Sequence, residues 1–124
     1  MITIGEVLTI GVPVSNQDQA LEFYLDRLGF EKRRDVPLPQ FGGRWIEVAP
    51  EGASVTIALV PARDEAPAGV QTGIRLKTGD AAAVHSELQA RGVEVGELLR
   101  WPGVPAMFAL SDQDGNRLEI VEAA

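Results

Sequence analysis

The chain contains no cysteine and one histidine among its 124 residues. Without cysteine there is no disulfide scaffold, no thiolate metal site and no thiol nucleophile. With one histidine, no site that needs two imidazoles can be assembled from a single chain. Basic residues are also scarce: 11 Lys and Arg against 18 Asp and Glu leave a net charge of −7. That balance argues against nucleic acid as a partner, because phosphates require clusters of Lys and Arg. Excess negative charge serves solubility in the ordinary case and a cationic ligand in the specific one. No apolar run approaches the roughly 20 residues that span a bilayer. The apolar opening, Met1 to Val14, lacks the basic flank and the cleavage site of a signal peptide. A cytoplasmic protein with no membrane partner is the expectation.

Hydrophobic residues make up 45% of the chain and charged residues 23%, a globular composition at a length that supports one domain with a real core. Leu8, Ile10, Val12 and Val14 alternate with Thr9, Gly11 and Pro13, the pattern of a half-buried strand. Ser15 offers an N-cap oxygen and Asp18 puts negative charge on the first turn of a helix. Leu21, Tyr24, Leu25 and Leu28 form its apolar face, and Gly29 ends it.

The second half repeats this plan. Val70, Thr72, Ile74 and Leu76 alternate along a strand, Asp80 caps a helix bearing Ala81, Val84 and Leu88, and Gly92 stops it. At an offset of 63 residues Ala20 matches Ala83, Leu25 matches Leu88, Gly29 matches Gly92 and Glu31 matches Glu94. Three strand-like runs follow each helix, at about 30–38, 43–49 and 53–60, then at about 93–100, 105–111 and 117–122. The Pro- and charge-rich stretch 61–69 links the halves, and Asp112-Gln113-Asp114-Gly115-Asn116 turns the last hairpin, where Gly and Asn tolerate positive φ. The expected fold is α+β: one domain over 1–124, with a βαβββ module at about 5–61, a linker at about 61–69 and a second module at about 70–124.

Val14-Ser15-Asn16, Ala20, Phe23-Tyr24 and Leu28-Gly29-Phe30-Glu31 resemble the opening of the vicinal oxygen chelate superfamily. That superfamily holds glyoxalases, extradiol dioxygenases and bleomycin-resistance proteins. The ending Asp112 to Glu119 is similar to its Asp-Pro-Asp-Gly-Asn turn and final strand, with Gln113 in place of the proline. The resemblance covers nearly the whole chain. It implies paired βαβββ modules forming a cupped mixed sheet, helices on the outer face, a ligand cavity inside and a homodimer. It fixes chemistry weakly, since one scaffold supports many activities.

Catalytic members hold a divalent metal with four residues, typically His or Gln, Glu, His and Glu. The resemblance puts these positions at Thr9, Ala58, Gly73 and Glu119, strand parity choosing Gly73 over Thr72. Threonine, alanine and glycine cannot replace two imidazoles and a carboxylate, so no metal and no cofactor is expected. His85 reads as a helix-surface histidine far from the cavity. Glu119 stands either as a relic paired with Arg75 or as an anchor for a ligand's hydroxyl, amine or guanidine.

Other cavity candidates are fewer. Trp45 and Glu47 share one face of a strand, opposite Ile46 and Val48: Trp45 is either a stacking platform or an interface residue, and Glu47 would receive a polar edge. Arg44 reads as exposed. Trp101 belongs to a rim loop as lid or wall, Met107 lines the cup or fills the core, and Phe41 sits on a flap. A phosphate loop and a Ser–His–Asp set are both missing. The leading expectation is a metal-free binding protein of the bleomycin-resistance type, sequestering a partly aromatic or cationic small molecule. The alternatives are a glyoxalase-like lyase, isomerase or dioxygenase with an atypical site, and a module serving a larger assembly.

Overall fold

In a computed structural model, which describes residues 2–124, the first strand β1 runs Thr9–Val14. Val12 and Val14 are fully buried, while Thr9, Gly11 and Pro13 face the other way, as alternation requires. Leu8, expected in the core, is instead 73% exposed. The reason is register: β1 pairs in parallel with β4 (Thr56–Pro61) from Thr9 opposite Thr56 onward, so residues before Thr9 overhang the sheet.

The N-cap of the first helix is Asn16 rather than Ser15. Asn16 Oδ1 accepts from Gln19 N at 3.0 Å, whereas Ser15 N and Oγ donate to the distant Asp114 carboxylate. Helix α1 (Gln17–Glu22) widens into a π-helical turn at Phe23–Arg27 that buries Tyr24, and Gly29 leaves it at φ 74°. Strands β2 (Glu31–Leu38) and β3 (Gly43–Ala49) complete a sheet of order β1-β4-β3-β2.

Module two follows the same route: β5 (Gln71–Thr78), α2 (Ala81–Ala90), β6 (Glu94–Val95), β7 (Met107–Ser111) and β8 (Arg117–Glu122), in the order β5-β8-β7-β6. Asp80 caps α2 by accepting from Ala83 N at 3.0 Å, and Gly92 ends it at φ 82°. The run expected at 93–100 pairs only over Glu94–Val95, with one more bridge from Leu99 to Met107. The cupped sheet is thus two four-stranded mixed sheets, with no ladder joining them among the described residues. Inward residues of both sheets enter one core with Tyr24, Phe30 and Leu88.

Polar side chains join the modules at one end. Asp112, almost fully buried, accepts from Tyr24 Oη at 2.8 Å and from Asn116 Nδ2, Asn116 N and Asp114 N at 2.9 Å. Asn116, fully buried, accepts from Gly69 N and Val70 N and donates to Pro13 O, so it ties both edge strands, β1 and β5, to the last hairpin. Burial, then the Asp112 charge and hydrogen bond, push the Tyr24 hydroxyl far above the ordinary phenol range, which keeps it a donor. Gly115 alone supplies the positive φ of this turn, and Asn116 serves by its side chain instead.

Candidate functional site

On the face of the first sheet opposite the core, β3 places Trp45 and Glu47 while Ile46 and Val48 point inward and are fully buried. Trp45 Nε1 donates to Glu47 Oε2 at 2.6 Å. Thr56 Oγ1 lies 2.7 Å from Glu47 Oε1 and 2.8 Å from Thr9 Oγ1. A hydroxyl carries one proton, and the carboxylate is the stronger acceptor, so Thr56 donates to Glu47. The indole hydrogen bond first, and then that of Thr56, holds the Glu47 carboxyl below the usual glutamate range against the opposing effect of burial. A fixed, ionised carboxylate therefore stands beside an indole.

Small residues line this face beside Glu47, Gly11 exposed and Ala58 buried. Ala58 pairs with both Gly11 and Glu47, and a Cβ added at Gly11 would meet nothing within 4 Å. Phe41 meets Trp45 edge-on, with ring centroids 5.8 Å apart, at the Pro39–Phe41 turn that Gly42 closes at φ 84°. Arg44, expected to be simply exposed, is instead a clamp. Its guanidinium meets Asp35 at 3.0 and 3.1 Å and Asp18 at 2.6 Å, and its backbone is gripped by the Gln17 side chain. The β2–β3 hairpin, and with it Trp45, is thereby fixed to α1.

The remaining expected residues lie on the second sheet. Arg75 pairs with Glu119 at 3.2 Å, the pair read from parity, but its side chain is 66% exposed and the pair is worth at most about 1 kcal/mol. Gly73 takes φ 74° at a register shift in β5, Met107 is half-buried at the start of β7, and Trp101 is 62% exposed on its loop. His85 Nε2 lies 2.8 Å from Gly96 O and its ring meets Phe108 edge-on, so it staples α2 to the chain after β6. The structure brings together Thr9, Trp45, Glu47 and Ala58 on one face, and Gly73, Arg75, Met107 and Glu119 on the other. Among the described residues no hydrogen bond or ion pair joins the two groups.

At the positions that the resemblance assigns to metal ligands, the side chains present are a poor donor set for a divalent metal. Thr9 is engaged with Thr56, Ala58 and Gly73 offer no side-chain donor, and Glu119, in its exposed pair with Arg75, is left as the one strong donor among the four. Two features went unread in the sequence. Thr56 as partner of Glu47 needed the β3–β4 register. A cavity of about 520 Å³ between the modules, bordered by Ile10, Ala53, Ile57, Ile74 and Leu76, includes only Gly73 and Arg75 of the expected site residues.

The profile of the Glyoxalase/Bleomycin resistance protein/Dioxygenase superfamily matches residues 5–120. TnmS3, an antibiotic binding protein from Streptomyces sp. CB03234, is similar in structure, with a TM-score of 0.89 and 34% identity over 100% of both chains. A member of the same superfamily from Sphaerobacter thermophilus DSM 20745 has a TM-score of 0.87 and 34% identity, covering 97% of this chain and 98% of its own. The uncharacterized protein YetH of Bacillus subtilis (strain 168) is 30% identical over 118 residues, 91% of this chain and 94% of YetH.

Proposed function

The chain belongs to the Glyoxalase/Bleomycin resistance protein/Dioxygenase superfamily, and we propose that it acts there by binding, sequestering a partly aromatic or cationic small molecule without a metal. One observation carries this reading: the Trp45 indole is hydrogen-bonded to a Glu47 carboxylate held ionised on an open sheet face. An indole presents a flat apolar surface, and the adjacent carboxylate accepts from a cation or a polar N–H. The antibiotic-binding description of TnmS3 supports a small-molecule ligand, and the net charge of −7 favours a cation.

A homodimer completes the site in this reading. The faces bearing Glu47 and Glu119 are each open, and Ile2, Ile4, Val7 and Leu8 are 59–85% exposed, apolar surface that a second copy would cover.

Tryptophan fluorescence provides the test, with aminoacridine (cationic at neutral pH) and acridine (neutral there) as probes. Aminoacridine should quench and bind about tenfold tighter than acridine, the worth of one hydrogen bond to a charged group. Glu47→Gln should erase that preference, and Trp45→Phe should remove the quenching. Equal affinities in the parent protein, or quenching that survives Trp45→Phe, would sink the assignment. Conversion of the bound probe would sink binding without turnover.

A further inference from the structure

The repeat makes the two ends of the module junction comparable. At one end the last hairpin meets the end of β1 and the start of β5, and Asn116 fills the space with side-chain bonds to Pro13, Gly69 and Val70. At the other end the β3–β4 turn meets the end of β5 and the start of β1. Matching the buried residues of the corresponding strands, Ile46 and Val48 with Phe108 and Leu110, and Ile57 and Leu59 with Leu118 and Ile120, puts Pro50 where Asp112 stands and Val55 where Asn116 stands. The hydroxyl contribution is missing as well, because, counted from the helix caps Asn16 and Asp80, Tyr24 corresponds to Leu88. With apolar side chains in place of the polar plug, this end keeps a cavity of about 520 Å³, within the range that takes small ligands.

Its walls are aliphatic, built from Ile10, Ala53, Val55, Ile57, Ile74 and Leu76. The charged residues on its border are Arg75 and Lys77, with no Asp or Glu among the lining residues, in a chain that carries seven excess negative charges. Both cations are exposed. Arg75 is held by Glu119 at 3.2 Å, and among the described residues the Lys77 ammonium has one long contact, 3.4 Å to the Ala124 main-chain oxygen. An apolar body excludes water from such walls, and a single negative head meets Lys77 at the border.

We infer that the unplugged end of the module junction is a second ligand site, selective for an apolar carboxylate: its hydrocarbon body lies between Ile57 and Ile74 and its carboxylate meets Lys77. The charge it selects is opposite to that of the Trp45–Glu47 face, and of the residues in that network only Thr56 borders the cavity. The cavity shares Val7 with the apolar surface that the proposed dimer would cover, so the inference requires a dimer that leaves the cavity mouth open.

The test uses the full chain, decanoate as the apolar anion and decanol as its neutral counterpart, read by methyl NMR and by displacement of anilinonaphthalene sulfonate. Decanoate should bind one per chain, shift the methyls of Ile10, Ile57 and Ile74, leave the Trp45 indole unmoved, and outbind decanol about tenfold. Lys77→Gln, a surface change that leaves the fold intact, should remove that tenfold preference and spare decanol. Ala53→Phe should abolish binding of both. If Ala53→Phe fails to fold, the Lys77→Gln result decides. Equal affinities for decanoate and decanol, saturation without those methyl shifts, or no binding would overturn the inference. Contacts from Ile2 or Ile4 of a second copy to the same methyls, in the absence of added ligand, would also overturn it by showing the cavity to be a dimer surface.

Discussion

The two modules share strand order, helix caps and stop glycines, yet they treat their open faces and their junction ends in opposite ways. Module one carries the organised polar face, with Trp45, Glu47, Thr56 and Thr9 in one connected network, while module two offers Arg75 and Glu119 as an exposed pair. At the junction the roles reverse. Module two supplies the buried plug of Asp112 and Asn116, whereas the matching turn of module one, Pro50 to Val55, supplies none. Duplication therefore preserved what the core needs, the alternation and the turn glycines. Positions that do not pack the core were free to diverge, and they decide which end is closed and which face is wired.

The largest effect should come from the plug. Asn116→Ala removes the side-chain bonds of a fully buried amide and leaves the part-buried Gly69 N, Val70 N and Pro13 O without them, which should cost about 3 kcal/mol in urea unfolding. The counterpart change on the exposed turn, Glu51→Ala, should stay within about 0.5 kcal/mol. If the two variants unfold together, the junction ends are not different in the way described.

The contrast between faces gives the next effect. Glu47 is needed charged, and its pKa lies below the ordinary 4.5 because Trp45 and Thr56 stabilise the carboxylate. Affinity for a cationic probe should thus hold as pH falls from 7 toward 5 and be lost only as pH passes down through Glu47's depressed value. Titrations of aminoacridine fluorescence across that range check this. Glu47→Gln should lower affinity about tenfold at neutral pH, and Glu119→Gln should change it by less than about twofold. Equal losses would show that Glu47 and Glu119 face the same ligand.

Smallest of all is the Arg75–Glu119 pair. Arg75→Ala should alter stability by about 0.5 kcal/mol or less, because solvent screens an exposed pair. A larger loss in thermal unfolding would mean that sheet two's face is covered in solution.

Particular residues show where local pattern stops. Val12, Val14, Ile46, Val48 and Ile74 are buried as alternation requires, because a strand's two faces are fixed by its geometry. Leu8 fits the same alternation and fails, since burial also needs a neighbouring strand and β4 begins only at Thr56. Ser15 has the chemistry of an N-cap, but the Asp114 carboxylate, 99 residues away in sequence, takes its hydroxyl and leaves the cap to Asn16. Arg44 looks like a solvated charge until Asp18 and Asp35 are brought beside it.

The sequence by itself determined the repeat, the strand faces, the turn glycines and the chemistry of four positions: threonine, alanine and glycine at Thr9, Ala58 and Gly73, with only Glu119 able to ligate strongly. Those depend on residue identity and on periods of two or three to four residues. Tertiary structure decided that Glu47 is wired to Trp45 and Thr56, that Asn116 seals one end of the junction and that apolar side chains leave the other open. Such facts rest on the register between strands and on distances between residues far apart in the chain, which no local period encodes.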